Sequence, residues 1–133
     1  MKSRLITALA LVWCLTTSAA APVRMTPVTI TDGVYMLEHS QGSGNSTVII
    51  TGDGVVVLDF HIDNADQTLA FIRKTTDKKV KYLITSHSAG DHASGAWHFR
   101  EDAPAWIATK NQVHDLQMQE REEFLERKKS NDP

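Results

Sequence analysis

The chain has 133 residues, 41% of them hydrophobic and 23% charged, with a formal net charge of −2. That size and composition allow a single globular core, and a near-neutral charge gives no basis for a nucleic-acid or membrane-surface partner. The one cysteine, Cys14, rules out a disulfide framework.

Lys2 and Arg4 precede an apolar run from Leu5 to Leu15 and the small residues Ser18-Ala19-Ala20-Ala21, the pattern of a secretory signal peptide. Ser18 at −3 and Ala20 at −1 favour cleavage after Ala20. Cutting after Ala21 would place Pro22 first in the mature chain. The apolar run is too short to span a bilayer, and the bulky Trp13 before Cys14 argues against lipidation. Residues 1–20 are therefore expected to be removed on export to the periplasm or medium. The mature chain would then have neither a thiol nucleophile nor a thiolate ligand.

Val28–Thr31 and Val34–Glu38 read as strands joined at Asp32-Gly33, a turn pair suited to positive φ. The segment 41–46 is rich in turn formers and reads as a connector. Thr47–Thr51 and Val55–Leu58, both β-branched, form a hairpin across Gly52-Asp53-Gly54. Their near-continuous hydrophobicity predicts burial on both faces. A helix follows, with Asn64 and Gln67 as a capping box, Ala65, Leu69 and Ile72 inward, and Arg73 and Lys74 at its C-terminal end.

Val80–Thr85 is the next strand, and strand, helix, strand makes a βαβ unit with parallel pairing. Ligands of such sheets gather beyond the carboxyl ends of the strands. Asp59-Phe60-His61 and Ser86-His87 both lie there. Ala96–Arg100 reads as a short helix broken at Asp102-Ala103-Pro104, and Ala105–Ala108 as a further strand. Thr109 with Gln112 starts a last helix with Val113 and Leu116 inward and a charged distal part holding a Glu123/Arg127 pair. Trp97 and Trp106 are expected in the core, and His39, His98 and His114 at the surface or partly buried.

The chemistry concentrates in His87-Ser88-Ala89-Gly90-Asp91-His92. Two imidazoles and a carboxylate suit zinc, and a turn can aim closely spaced donors at one point. A surface loop can carry the same residues without any ligand. The strand before the cluster and the small residues Ala93-Ser94-Gly95 after it favour metal.

These residues resemble the His-x-His-x-Asp-His signature of the metallo-β-lactamase fold superfamily, with Ala89 standing where the second histidine belongs. The resemblance covers roughly residues 28 to 128 and implies an α/β fold, the αββα sandwich, of which only the first αβ half is present. On this basis residues 21–133 form the N-terminal part of such a domain. The missing C-terminal half, or a partner chain, would be needed to complete it.

The resemblance further implies zinc, one ion or two, with His87, Asp91 and His92 as ligands and Asp91 as the catalytic carboxylate. Losing the imidazole at position 89 weakens the first metal site most, so a mononuclear enzyme using Asp91 and His92 is compatible with the motif. Asp59 would orient the motif loop by hydrogen bonds. His61, at the same sheet end, is a candidate replacement for the lost imidazole. Metal-activated water would attack an ester, thioester, sulfate or amide bond of a small-molecule substrate. The competing reading is a noncatalytic truncated product or fold remnant that at most binds metal weakly. On either reading the chain alone is expected to be inactive, with the apolar faces of Val48, Ile50, Val55 and Val57 uncovered.

Overall fold

The computed structural model describes residues 21–130, without the side chains of Glu123, Phe124, Arg127, Lys129 and Ser130. The expected signal peptide at residues 1–20 and the expected Glu123/Arg127 pair thus lie outside what is described.

Six strands form one sheet in sequential order: β1 Met25–Thr31, β2 Val34–His39, β3 Ser46–Ile50, β4 Val55–Leu58, β5 Val80–Ile84 and β6 Ala105–Ile107. The first four pair antiparallel, and β5 and β6 join in parallel. Gly33 takes φ 72° in the first hairpin, where a side chain would be strained. α1 (Ala65–Thr75) makes the crossover from β4 to β5. The four-residue α2 (Gly90–Ala93), a 3-10 helix (Ala96–Asp102) and α3 (Lys110–Ser130) complete the described chain.

The pleat sorts the sheet into two unlike faces. Val48, Val55, Val57 and Leu83 point to α1 and are buried with Ile72, Phe60 and Phe99. Tyr35 meets Phe71 of α1 edge-on at 5.1 Å, and Phe60 meets Phe99 at 6.1 Å. The opposite face holds Ile49, Val56 and Leu58, only partly buried, beside the exposed Val28, Tyr82 and Ile107. Burial on both faces is thus not observed. The uncovered set is also the reverse of the expected one, because α1 packs on the face of Val48, Ile50, Val55 and Val57 and leaves Ile49, Val56 and Leu58 on the open side.

Three local expectations fail for identifiable reasons. Asn64 precedes α1 but makes no side-chain cap; its Oδ1 takes the His61 N–H at 3.1 Å and its Nδ2 donates to the Gly44 carbonyl at 2.9 Å. Gln67 is drawn away too, accepting from Met25 N–H and donating to the Val23 carbonyl. Trp97 and Trp106 remain 52% and 44% exposed, Trp97 stacked on His98 and Trp106 edge-on to Phe60. Val113 is exposed and Leu116 half-buried, because α3 stands off β6.

The capping box at Thr109 forms as expected. Thr109 N–H donates to Gln112 Oε1 at 2.6 Å, and Gln112 N–H donates back to Thr109 Oγ1 at 3.2 Å. The 3-10 helix ends at Ala103, which takes φ 50°, and Asp102 closes it by accepting from Val80 N–H and Arg73. Among the described residues no helix is long and apolar enough to cross a membrane.

Candidate metal centre

The end of β4 is bent sharply by Asp59, whose φ of 57° is unusual for any residue but glycine. Such a conformation costs about 1 kcal/mol or more and persists where surrounding contacts enforce it. Here they do. Asp59 N–H donates to the Ile84 carbonyl, Phe60 N–H to the His92 carbonyl, and Gly95 N–H to the Phe60 carbonyl. The turn after β4 is thereby stitched to the end of β5, to α2 and to the residue Gly95 beyond it.

The bend aims the Asp59 carboxylate into the motif. Oδ1 accepts the Ser86 N–H at 2.7 Å, Oδ2 accepts the Ser86 hydroxyl at 2.8 Å, and His92 Nδ1 lies 2.9 Å from Oδ2. With Asp59 ionised, Nδ1 carries a ring proton, so in the neutral ring Nε2 is the nitrogen with the free lone pair. Ser86 is not an activated nucleophile in this arrangement, since its proton goes to Asp59 and the nearest ring nitrogen is itself a donor.

His92 Nε2 lies 3.4 Å from Asp91 Oδ2. Two donors each about 2.0–2.2 Å from one tetrahedral zinc ion stand roughly 3.4 Å apart, so this pair has the chemistry and spacing of two ligands. The His87 ring lies 3.9 Å from that of His92, centroid to centroid, and its Nδ1 accepts the Ala89 N–H. His61, the candidate replacement for the imidazole missing at Ala89, has its Nδ1 3.6 Å from Asp63 Oδ2. Among the described residues no group of three or more His, Cys, Asp or Glu side chains is arranged to hold a metal ion. The donor set fits zinc in part: Asp91 and His92 as a pair, with His87 adjacent.

Two further residues position the motif without any signal in the pattern of ligand types. Gly44 packs so closely on the ligand turn that a Cβ there would lie 2.3 Å from the Asp91 carbonyl oxygen. Its loop is held in shape by His39, which is buried rather than at the surface; His39 Nδ1 accepts the N–H groups of Gln41 and Ser43, and its own N–H donates to Asn45 Oδ1. The 41–46 segment is therefore packed against the site and is more than a connector. Asn64 ties it to the turn after Asp59.

The profile of the metallo-beta-lactamase superfamily matches residues 39–130. The chain belongs to this superfamily. Solved metallo-beta-lactamases share its fold. FIM-1 from Pseudomonas aeruginosa, in its mono-zinc form, aligns with 72% of this chain and 46% of its own at 18% identity and a TM-score of 0.61. The enzyme from Hirschia baltica aligns over 72% and 48% at 19% identity with the same score of 0.61. One from Cronobacter sakazakii, described by its HARLDQ motif, aligns over 70% and 37% at 18% identity and 0.57. The chain thus spans about half or less of the structures it matches. A search of curated protein sequences finds no match.

Proposed function

We propose that this superfamily member is the motif-bearing part of an exported, metal-dependent hydrolase, holding zinc through Asp91 and His92 and acting on an ester, thioester, sulfate or amide bond of a small molecule. The observation that carries the reading is the relay from Asp59 to His92 to Asp91. A carboxylate fixes the ring tautomer, and the freed Nε2 faces a second carboxylate at 3.4 Å. Two facing acceptors repel one another unless a proton or a metal cation lies between them, and zinc is the occupant this reading assigns.

In this mechanism Asp59 and Ser86 hold the His92 ring in its donor-ready orientation, and Gly44 and Asn64 hold the turn that carries Asp91. Zinc, when bound, supplies Lewis acidity and a water whose pKa falls to about 7. Asp91, half-exposed beside His92, can both ligate and accept a proton from the attacking water. The Cronobacter sakazakii motif HARLDQ has arginine at the spacing of Ala89 and glutamine at the spacing of His92, so a solved member of the fold departs from histidine at both positions. The mono-zinc form of the Pseudomonas aeruginosa enzyme supports single-ion occupancy.

One observation favours a noncatalytic reading instead: no third donor converges among the described residues. Zinc titration of the full chain, followed by turnover of ester and β-lactam substrates with and without chelator, separates the two. Binding lost in Asp91→Ala and His92→Ala and retained in His87→Ala supports the metal assignment. Binding lost only in His87→Ala overturns it. Zinc bound without chelator-sensitive turnover favours the noncatalytic reading for this chain.

A further inference from the structure

The turn 41–45 presses on the turn that carries the ligands, yet it has little of its own to hold it there. Two of its five residues are glycine and none is apolar, so side-chain packing does not fix its shape. Gly44 is nevertheless buried, although Gln41, Gly42 and Asn45 are exposed. A Cβ on Gly44 would overlap the Asp91 carbonyl and come within 3.7 Å of the His92 ring. His39 supplies the restraint. Its Nδ1 accepts the N–H groups of Gln41 at 3.2 Å and Ser43 at 3.3 Å, its carbonyl accepts the Gly42 N–H at 3.1 Å, and its own N–H donates to Asn45 Oδ1 at 2.9 Å. An Nδ1 that accepts from two donors carries no proton, so the neutral ring has its hydrogen on Nε2. That nitrogen is buried and has no hydrogen-bond partner among the described residues. The ring thus brings an unpaired donor into the core, which packing alone would not require. What imidazole adds here over an apolar side chain is the acceptor at Nδ1.

We propose that His39 is a positioning residue for the metal pair, seating Gly44 against Asp91 and His92 through the Nδ1 acceptor of its Nε2–H tautomer. The consequence for zinc rests on the hydrolase reading, while the placement of the turn does not. Two histidines at this end of the sheet then hold opposite tautomers. His92 keeps a proton on Nδ1, toward Asp59, and leaves Nε2 for a ligand; His39 keeps its proton on Nε2 and leaves Nδ1 for the backbone of the turn. The effect of His39 reaches the metal pair through Gly44. Without the acceptor, the N–H groups of Gln41 and Ser43 turn to solvent, Gly44 is held by Asn64 alone, and the backbone at Asp91 loses the wall behind it.

The test compares His39→Asn with His39→Leu in the full chain. Asparagine puts Oδ1 where Nδ1 stands and accepts backbone N–H groups in the manner of an Asx turn, whereas leucine offers no acceptor. In metal-free protein the amide NMR shifts of Asp91, His92 and Ala93 should stay near wild type in His39→Asn and move in His39→Leu. Zinc affinity, from competition against a chromophoric chelator, should stay within about two-fold in the first and fall about ten-fold in the second. Long-range proton–nitrogen NMR of the wild type, which needs no variant to fold, should show His39 with Nδ1 bare and Nε2 protonated. A protonated Nδ1 overturns the proposal. So does a folded His39→Leu chain whose amides at Asp91 and His92 and zinc affinity match wild type. Equal losses in His39→Asn and His39→Leu overturn it too, since the ring's bulk would then matter and its acceptor would not. If wild type binds no zinc while the amide pattern holds, the hydrolase reading fails and the placement of the turn by His39 stands.

Discussion

His92 Nδ1 lies 2.9 Å from Asp59 Oδ2, a contact between the bend after β4 and the middle of α2. It fixes which ring nitrogen is left for a ligand, and Ser86 shares the same carboxylate oxygen. Because one residue holds two parts of the motif, its replacement should affect binding more than folding.

Asp59→Asn keeps the side-chain shape but can turn an amide N–H toward His92, reversing the preferred tautomer. Zinc affinity should fall by about 10–100-fold, as is usual when the partner of a ligating histidine is removed. Competition against a chromophoric chelator measures this, and an affinity within two-fold of wild type would contradict it.

Ala89→His restores the absent imidazole beside His87. Zinc should bind at least about ten-fold tighter, because a third donor completes a site for an ion that takes four ligands or three plus water. His61→Ala should leave zinc content unchanged, since that ring faces Asp63. Measured together by metal analysis of purified protein, the two variants test whether position 89 or position 61 limits the site.

Gly44→Ala introduces a Cβ at 2.3 Å from the Asp91 carbonyl oxygen. Overpacking of this kind costs about 1–3 kcal/mol, equivalent to a melting shift of about 4–8 °C for each kcal/mol in a domain this size. Gly90→Ala meets nothing within 4 Å and should leave the melting temperature unchanged or slightly raised. Thermal melts of the pair distinguish close approach from a general intolerance of side chains near the motif.

Asp102 should give an acid-dependent contribution to stability. Burial pushes its carboxyl upward, but hydrogen bonds from Arg73 and the Val80 N–H, with the charges of Arg73 and Lys79, outweigh it and hold the group below the ordinary aspartate range. The unfolded chain therefore takes up the proton first. The contribution is complete above the unfolded value near pH ~3.9 and is lost as pH falls through the lower folded value. Asp102→Asn should be destabilised by about 1–3 kcal/mol at pH 5–7, and the gap to wild type should close below pH ~4. A gap that widens on acidification would refute the assignment.

The sheet face bearing Val28, Tyr82 and Ile107 is exposed, and an apolar sheet surface of this kind drives association. Tyr82→Lys with Ile107→Lys should lower light scattering of the purified chain without lowering its melting temperature, because neither side chain contributes to the buried cluster. Unchanged scattering would place the association elsewhere.

Much of this protein was determined by sequence order alone. The β-branched runs on either side of Gly52-Asp53-Gly54, the turn at Asp32-Gly33 and the capping pair Thr109/Gln112 are local signals, and each produces the element it predicts. The motif residues were legible as chemistry, since the types and spacing of His87, Asp91 and His92 require no partner to be recognised. Tertiary structure decided what those signals could not carry. Asn64 and Gln67 looked like a cap, yet distant backbone groups at Gly44 and Val23 claimed their side chains, because an unpaired buried polar group costs more than a forgone cap. Which face of β3 and β4 was buried depended on where α1 landed, and a hydrophobic run reads the same from either side. The close approach of Gly44 to Asp91 and the reach of Asp59 to His92 join residues far apart in the chain, so only the folded backbone brings the donors to ligand spacing.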